Sequence, residues 1–342
     1  MRLLFLAGRD PDYLQDALYH GLVTLLGAEN VIEHPENERY HGAVAPDPRM
    51  AMLSFDFPRV DRGDVADVVR SADAIIIASL RDSVISSVRR VLELRATIPT
   101  VFVDGADDPY VRGVGRYVDA YFKRETLQHG EWLRMRMPAR RLYHRRRYPQ
   151  RWSDPLRREI AVASVRSRSV VPLPLGIVDT GFQPRAEKDT DIVFLASPTS
   201  PERERVIEAL DDLRRRGARV RTSSDVASSS ILPWSQYVEL LSRSRIGISV
   251  RGLGYDTYRY WEIPYAGALL LAEPPQTVIH DNFTEGREAV FAPVSELAER
   301  ALGLLTGDTA AIAQAGRAKL LAHHTSVNRA QTVLDVLSSL AV

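Results

Sequence analysis

The chain has 342 residues, 45% of them apolar, and its 45 basic and 44 acidic side chains leave a formal charge of +1. That composition excludes a disordered, collagenous or acidic-tail protein, and the length exceeds what one hydrophobic core usually serves, so two domains are expected. Cysteine is absent, which removes disulfides, thiolate nucleophiles and cysteine metal sites together and fits a reducing, cytoplasmic setting.

At the start of the chain only residues 3–8 separate Met1-Arg2 from Arg9-Asp10. That run is too short for a signal peptide, and no later one approaches the roughly 20 apolar residues of a membrane span. Apolar runs then alternate with amphipathic stretches, the rhythm of a βαβ series on a mainly parallel sheet. A buried strand is expected over 2–7, and a helix over 13–26 with Leu14, Ala17, Leu18, Leu22 and Leu25 at helical spacing before Gly27. Strands follow over 72–78, 100–103 and 118–122, with a helix over 83–94, making a first Rossmann-like half.

A second series begins after residue 188. It runs strand 191–195, helix 201–215 ending at Gly217, strand 219–222, helix 235–241, strand 246–250, helix 257–266 and strand 268–271, then helices from 294 to a last one over 331–340. Two such series imply an α/β protein of two Rossmann-like domains facing across a cleft. Two segments break the rhythm. Residues 223–230 are serine-rich and read as a surface loop. Residues 129–160 hold ten arginines against Glu131, Asp154 and Glu159, a net charge of about +7, interleaved with Trp132, Tyr143, Tyr148 and Trp152. Such a segment is either a solvated face or a grip on a polyanion such as nucleic acid or a lipid phosphate.

The chemistry concentrates in residues 246–274. A strand enters Arg251-Gly252-Leu253-Gly254, whose glycines let backbone approach a ligand, and a helix starts at Asp256 or Thr257, both good N-caps. An exposed helix start after a glycine turn is an anion site. Tyr255, Arg259, Glu262 and Ala266 recur at helical spacing, so Arg259 and Glu262 share a face. They form either a surface ion pair or a phosphate-and-ribose pair. Pro264 should bend or end this helix.

This stretch, Arg-Tyr-Trp-Glu-Ile-Pro-Tyr-Ala-Gly followed by a buried strand, resembles the donor-nucleotide segment of GT-B glycosyltransferases. Asp256-Thr257-Tyr258-Arg259-Tyr260-Trp261-Glu262 is most similar to the group-1-like domain of spore-maturation-type glycosyltransferases and has exostosin-like features. Leu173-Pro174-Leu175-Gly176-Ile177-Val178-Asp179 with Gly181-Phe182-Gln183-Pro184 resembles the interdomain linker of family 4 glycosyltransferases. Residues 287–291, Glu296-Leu297, His323-His324-Thr325 and Arg329 resemble the closing segments of the spore-maturation-type domain.

The resemblance covers residues 170–340 and implies an enzyme. In it residues 1–175 hold the acceptor and carry the 129–160 insertion, 176–188 are the linker, 189–325 bind a nucleoside diphosphate sugar, and 326–342 cross back to the first domain. Glu262 would hold the ribose and Gly267 the packing of the turn. Arg251, Gly252, Gly254, Tyr255, Asp256, Thr257 and Arg259 would face the diphosphate or donor sugar. Ser197 and Thr199, ahead of a helix opening at Pro201, stand where such enzymes bind phosphate, with Arg203 in the first turn. Family 4 carries a first Glu eight residues before the ribose Glu. Here that position is Gly254, so neither its donor-sugar contact nor a retaining outcome carries over.

An inverting enzyme needs a base, and the candidates are Asp104, Asp107, Asp108 and Asp10, all past the ends of buried strands; each also suits a turn. The basic residues on the acceptor side are Arg9, Lys123, Arg124, Arg145, Arg146 and Arg147. Asp10-Pro11-Asp12 and Asp189-Thr190-Asp191 have the Asp-x-Asp form of cation-dependent transferases, but so short a pattern recurs by chance among 44 acids. The histidines lack zinc spacing. The expectation is therefore a glycosyltransferase with no cofactor and no metal, arginines neutralising the diphosphate. The alternatives are a nucleotide-sugar epimerase on the same fold and a nucleic-acid-binding protein with a degenerate donor pocket.

Overall fold

The computed structural model describes residues 1–43, 48–60, 63–109, 111–128, 170–197, 200–225 and 232–340. The arginine-rich insertion, with Arg145, Arg146 and Arg147, lies outside the described residues, as does Thr199. In the first half the strands are β1 (Leu3–Leu6), β2 (Val31–His34), β3 (Ala74–Ile77), β4 (Thr100–Asp104), β5 (Ala120–Lys123) and β6 (Val170–Pro172), with helices α1 (Tyr13–Leu26), α2 (Val65–Ser71) and α3 (Ile85–Leu94). They make one parallel sheet in the order β2-β1-β3-β4-β5-β6. The second half has β7 (Thr190–Phe194), α4 (Pro201–Arg215), β8 (Val220–Thr222), α5 (Trp234–Ser242), β9 (Ser244–Ser249), α6 (Tyr258–Tyr265), β10 (Leu269–Ala272) and β11 (Val290–Phe291). Its sheet is parallel in the order β11-β10-β9-β7-β8. Three helices close the chain: α7 (Leu297–Leu304), α8 (Thr309–His323) and α9 (Ser326–Leu340).

The central strands Leu-Leu-Phe-Leu and Ala-Ile-Ile-Ile are buried along their whole length, because helices cover both faces of a parallel sheet. Pairing of Leu3 with Ala74 and of Leu6 with Ile77 brings the carboxyl ends of β1 and β3 level. Pairing of Ile192 with Ile246 does the same for β7 and β9. In each sheet the chain leaves these two neighbours in opposite directions, opening a crevice at their carboxyl ends, where doubly wound sheets bind ligands.

Helix ends follow their capping residues. Asp12 accepts the Gln15 N–H to start α1, and Ser200 with Pro201 behind it starts α4. The sequence did not reveal β2, α2, β6 or β11. The strand expected at 118–122 lies at Ala120–Lys123, and the last helix begins at Ser326. Of the serine-rich segment, Ser223–Asp225 forms a 3-10 turn. Pro264 ends α6 one residue later, at Tyr265. Among the described residues no helix is long and apolar enough to cross a membrane.

The two halves are tied just after β6. The buried Arg329 guanidinium donates to the carbonyls of Pro174 and Leu175, each at 2.9 Å, and lies over the Trp261 ring at 5.3 Å. It also donates to His324 Nδ1 at 3.0 Å, while His324 Nε2 meets the Asp281 carbonyl at 2.9 Å. Burial and the Arg329 charge hold the imidazole down at about 3, so it is neutral. Helix α9 packs on α1, with His20 Nδ1 3.0 Å from Ser326 Oγ.

Ahead of β7, Pro184 packs on the turn after α6, where Gly267 has φ +75° and a Cβ would stand 2.6 Å from Pro184 Cβ. Gly267→Ala is therefore expected to destabilise the fold by about 2 kcal/mol, from left-handed strain plus displacement of the linker. Urea denaturation measures it, and a loss under about 0.5 kcal/mol would show that the turn tolerates a side chain.

Candidate active site

Two arginines converge at the crevice of the second sheet. Arg203, in the first turn of α4, is 7% exposed and donates to the carbonyls of Arg251 (3.0 Å), Ser197 (3.4 Å) and Val250 (3.5 Å), just past β7 and β9. Arg259, on α6, donates through Nε to the Leu195 carbonyl at 2.7 Å. Burial and then the neighbouring Arg259 charge pull Arg203 down to about 10. Among the described residues no carboxylate forms an ion pair with Arg259. Two guanidiniums held at the carboxyl ends of parallel strands, with Glu273 the carboxylate acting on Arg203, concentrate positive charge at the crevice. Gly252 lies against Arg203, since a Cβ there would be 3.0 Å from its Nη2.

Glu262 is one turn below Tyr258 on α6, 6% exposed, and accepts a hydrogen bond from the Tyr237 hydroxyl at 2.7 Å. Burial pushes its carboxyl up to about 7 against the opposing pulls of that hydroxyl and of Arg259. A carboxylate with one oxygen held by Tyr237 and the other uncommitted suits a vicinal diol. It is not the surface ion pair that helical spacing alone allowed.

Several sequence-nominated residues have other work. Arg251 turns back to Glu202 (3.0 Å) and to the Tyr255 hydroxyl (2.8 Å), and its backbone N–H goes to Glu273, so Arg251 and Tyr255 shape the glycine loop. Thr257 is the N-cap of α6 by position, but its hydroxyl pairs with Ser249 at 3.0 Å. Asp256, 2% exposed, accepts from the Leu175 N–H at 2.6 Å and Trp261 Nε1 at 2.9 Å. The expected anion site at the start of α6 is also filled. Glu125, from the loop after β5, accepts the N–H groups of Tyr255 (3.2 Å) and Asp256 (2.9 Å). Its Oε1 would be 2.2 Å from a Cβ on Gly254. Arg124 lies between these acids, with Glu125 at 3.5 Å and Asp256 at 3.8 Å, and pairs with Asp107. Glu125 thus occupies the N–H groups that the glycine turn seemed to offer a ligand.

The first-domain assignments change likewise. Asp104 is 3% exposed and bound by Tyr121 (2.5 Å), Lys123 (3.0 Å) and Arg112 (3.3 Å). Against burial, the charges of Arg112 and Lys123 hold it at about 2, far too acidic for a base. Asp108 pairs with the same two cations. Lys123 is 1% exposed and Arg124 8%, so neither offers a charge to an acceptor. Asp10 is exposed, 3.9 Å from Arg81, and the Arg9 backbone N–H meets Ser83. Asp12, which its sequence context marked only as part of an Asp-x-Asp match, lies at the crevice past β1, caps α1 and pairs with Arg81 at 3.0 Å. Burial raises its carboxyl above the usual range. Of the two Asp-x-Asp matches, Asp10 and Asp12 both face Arg81, and Asp189 and Asp191 stand at the amino end of β7, paired with Arg243 and Arg219.

Residues 203–335 match the model of a family described as glycosyl transferase-like. No curated protein matches the chain. Among solved structures, an α-glucosyltransferase in complex with UDP and DNA containing an HMU base is similar over 99% of both chains, with 11% identity and TM-score 0.56. A glycosyltransferase from Rickettsia africae is similar over 99% of this chain and 98% of its own, at 9% identity and TM-score 0.58. Anabaena HepE, in complex with UDP and glucose, covers 99% of this chain and 100% of its own at 12% identity and TM-score 0.56. These likenesses establish the GT-B fold across the chain.

Proposed function

We propose that this glycosyltransferase of GT-B fold moves a sugar from a nucleoside diphosphate sugar, held by residues 190–325, to an acceptor facing the carboxyl ends of β1, β3 and β4. The observation that carries the reading is the convergence of Arg203 and Arg259 at the ends of β7 and β9, with the buried Glu262 carboxylate on the same helix as Arg259. The guanidiniums neutralise the diphosphate, favouring departure of the nucleotide, and Glu262 accepts from the ribose diol. With two fixed cations in place, no divalent metal is needed. Closure of the halves, already tied through Glu125, excludes water from the donor.

The acceptor side rests on charge. Ten arginines in 129–160 support a polyanionic acceptor such as nucleic acid or a lipid phosphate, and one structural neighbour was solved with DNA. Acceptor affinity that falls steeply with salt is the expected signature, and a flat salt profile removes a polyanion. An epimerase would need acids and a histidine around the donor sugar; of the donor-half histidines, His324 is engaged with Arg329 and His323 lies 4.0 Å from Asp281.

A thermal-shift panel of nucleoside diphosphate sugars, with and without EDTA, tests the core of the proposal. At least one donor should raise Tm by several degrees at about 100 times its Kd, in chelator as without. Stabilisation by oligonucleotides and by none of the donors would instead establish the nucleic-acid-binding alternative.

A further inference from the structure

Tyr258, the first residue of α6, was not singled out by the sequence. Its ring is 8% exposed and stacks on Tyr13 at the start of α1, with centroids 4.3 Å apart and planes at 30°, so the pair closes the gap between the two halves. Its hydroxyl is buried and has no hydrogen-bond partner among the described residues. The neighbouring tyrosines are all satisfied. Tyr260 donates to Asn282 at 2.7 Å, Tyr237 to Glu262, and Tyr265 to Asp179 at 3.0 Å. A buried phenol without a partner is unfavourable in the free protein, and a bound ligand with an oxygen at that point would relieve it.

Residues four apart on a helix are neighbours on one face, which puts Tyr258 beside the Glu262 carboxylate. Burial and the charge of Glu262 push the phenol well above its ordinary value, so it stays protonated and acts as a donor. A carboxylate that accepts and a phenol that donates, one turn apart, complement a vicinal diol, each of whose hydroxyls both donates and accepts.

We propose that Tyr258 is a specificity residue that donates its hydroxyl to the nucleoside diphosphate sugar beside the oxygens held by Glu262. This rests on the donor-site reading above. The contact is made only when ligand is bound, and the free protein stores the unpaired group.

Tyr258→Phe keeps the stack on Tyr13 and removes only the oxygen. With UDP, GDP and ADP as probes in calorimetric titration, the variant should bind the preferred nucleotide about tenfold more weakly than the parent. Its Tm without ligand should equal or exceed the parent's. Tyr260→Phe, which loses a satisfied hydroxyl, should show the opposite pattern, a lower Tm with unchanged affinity. Parental affinity in Tyr258→Phe overturns the proposal, and so does a Tm loss as large as that of Tyr260→Phe, which would mean the hydroxyl already had a partner. If the parent itself binds none of the three nucleotides, the donor-site reading falls and this inference with it.

Discussion

Glu262→Gln is expected to weaken nucleotide-sugar binding about 30-fold at pH 8 and to abolish its pH dependence. In the parent the carboxyl titrates near 7 because it is buried. Above that pH it is a full acceptor for both hydroxyls of a diol; below it, one oxygen carries a proton and acceptance is lost. Donor affinity should therefore level off above about pH 8 and fall by up to tenfold per pH unit below 7. The amide keeps the Tyr237 contact through its carbonyl and supplies no charge, so its affinity should be low and flat.

Stability runs the other way. A carboxyl raised from the usual range to about 7 stabilises the free fold most when protonated, and that contribution fades as pH rises from about 4.5 to 7. Glu262→Gln resembles the protonated form, so it should match the parent near pH 5 and exceed it by roughly 1–3 kcal/mol at pH 8. A variant weaker for donor yet more stable at pH 8 separates a ligand-binding carboxylate from a structural one. Equal donor affinity in the two proteins across this range would mean that Glu262 does not hold the donor.

What the sequence disclosed follows from how local each determinant is. Strands β1, β3 and β10 are continuous apolar runs, and α1 and α4 carry their own caps, so their places are readable from neighbouring residues. Strand β2 was hidden because Val31–His34 is half polar. Glu33 is buried there only because Tyr19 (3.2 Å) and His41 (2.7 Å) satisfy it from elsewhere in the chain. The site divides in the same way. Arg203, Arg259 and Glu262 belong to helices whose spacing and family resemblance name them. Asp104 and Lys123 looked like free groups past a strand end, and only the fold reveals that they neutralise each other. Glu125 could not be found from spacing, since the N–H of Asp256 that it binds is 131 residues away.

That distant contact makes the sharpest test of how the halves are joined. Glu125→Ala should cost about 3 kcal/mol, because it leaves two backbone N–H groups without acceptors and removes one of three acids sharing Arg124. Gly254→Ala should cost nearly as much by a different route. Its Cβ would lie 2.2 Å from the Glu125 carboxylate and force it off the same two groups, while φ at 254 carries no left-handed penalty. With the carboxylate already gone, the Cβ still meets the Asp107 carbonyl oxygen at 3.3 Å, a contact that a shift of a few tenths of an ångström relieves. The double variant should therefore be little less stable than Glu125→Ala alone, a coupling of about 2 kcal/mol where independent sites add to within about 0.5 kcal/mol. Both single variants should also bind donor more weakly, since the loop that Glu125 holds carries Gly252 against Arg203. Additive losses in urea denaturation would mean that the glycine answers to something other than Glu125. A coupled loss would show that Gly254 leaves room for a carboxylate which the first half of the chain inserts into the donor loop of the second.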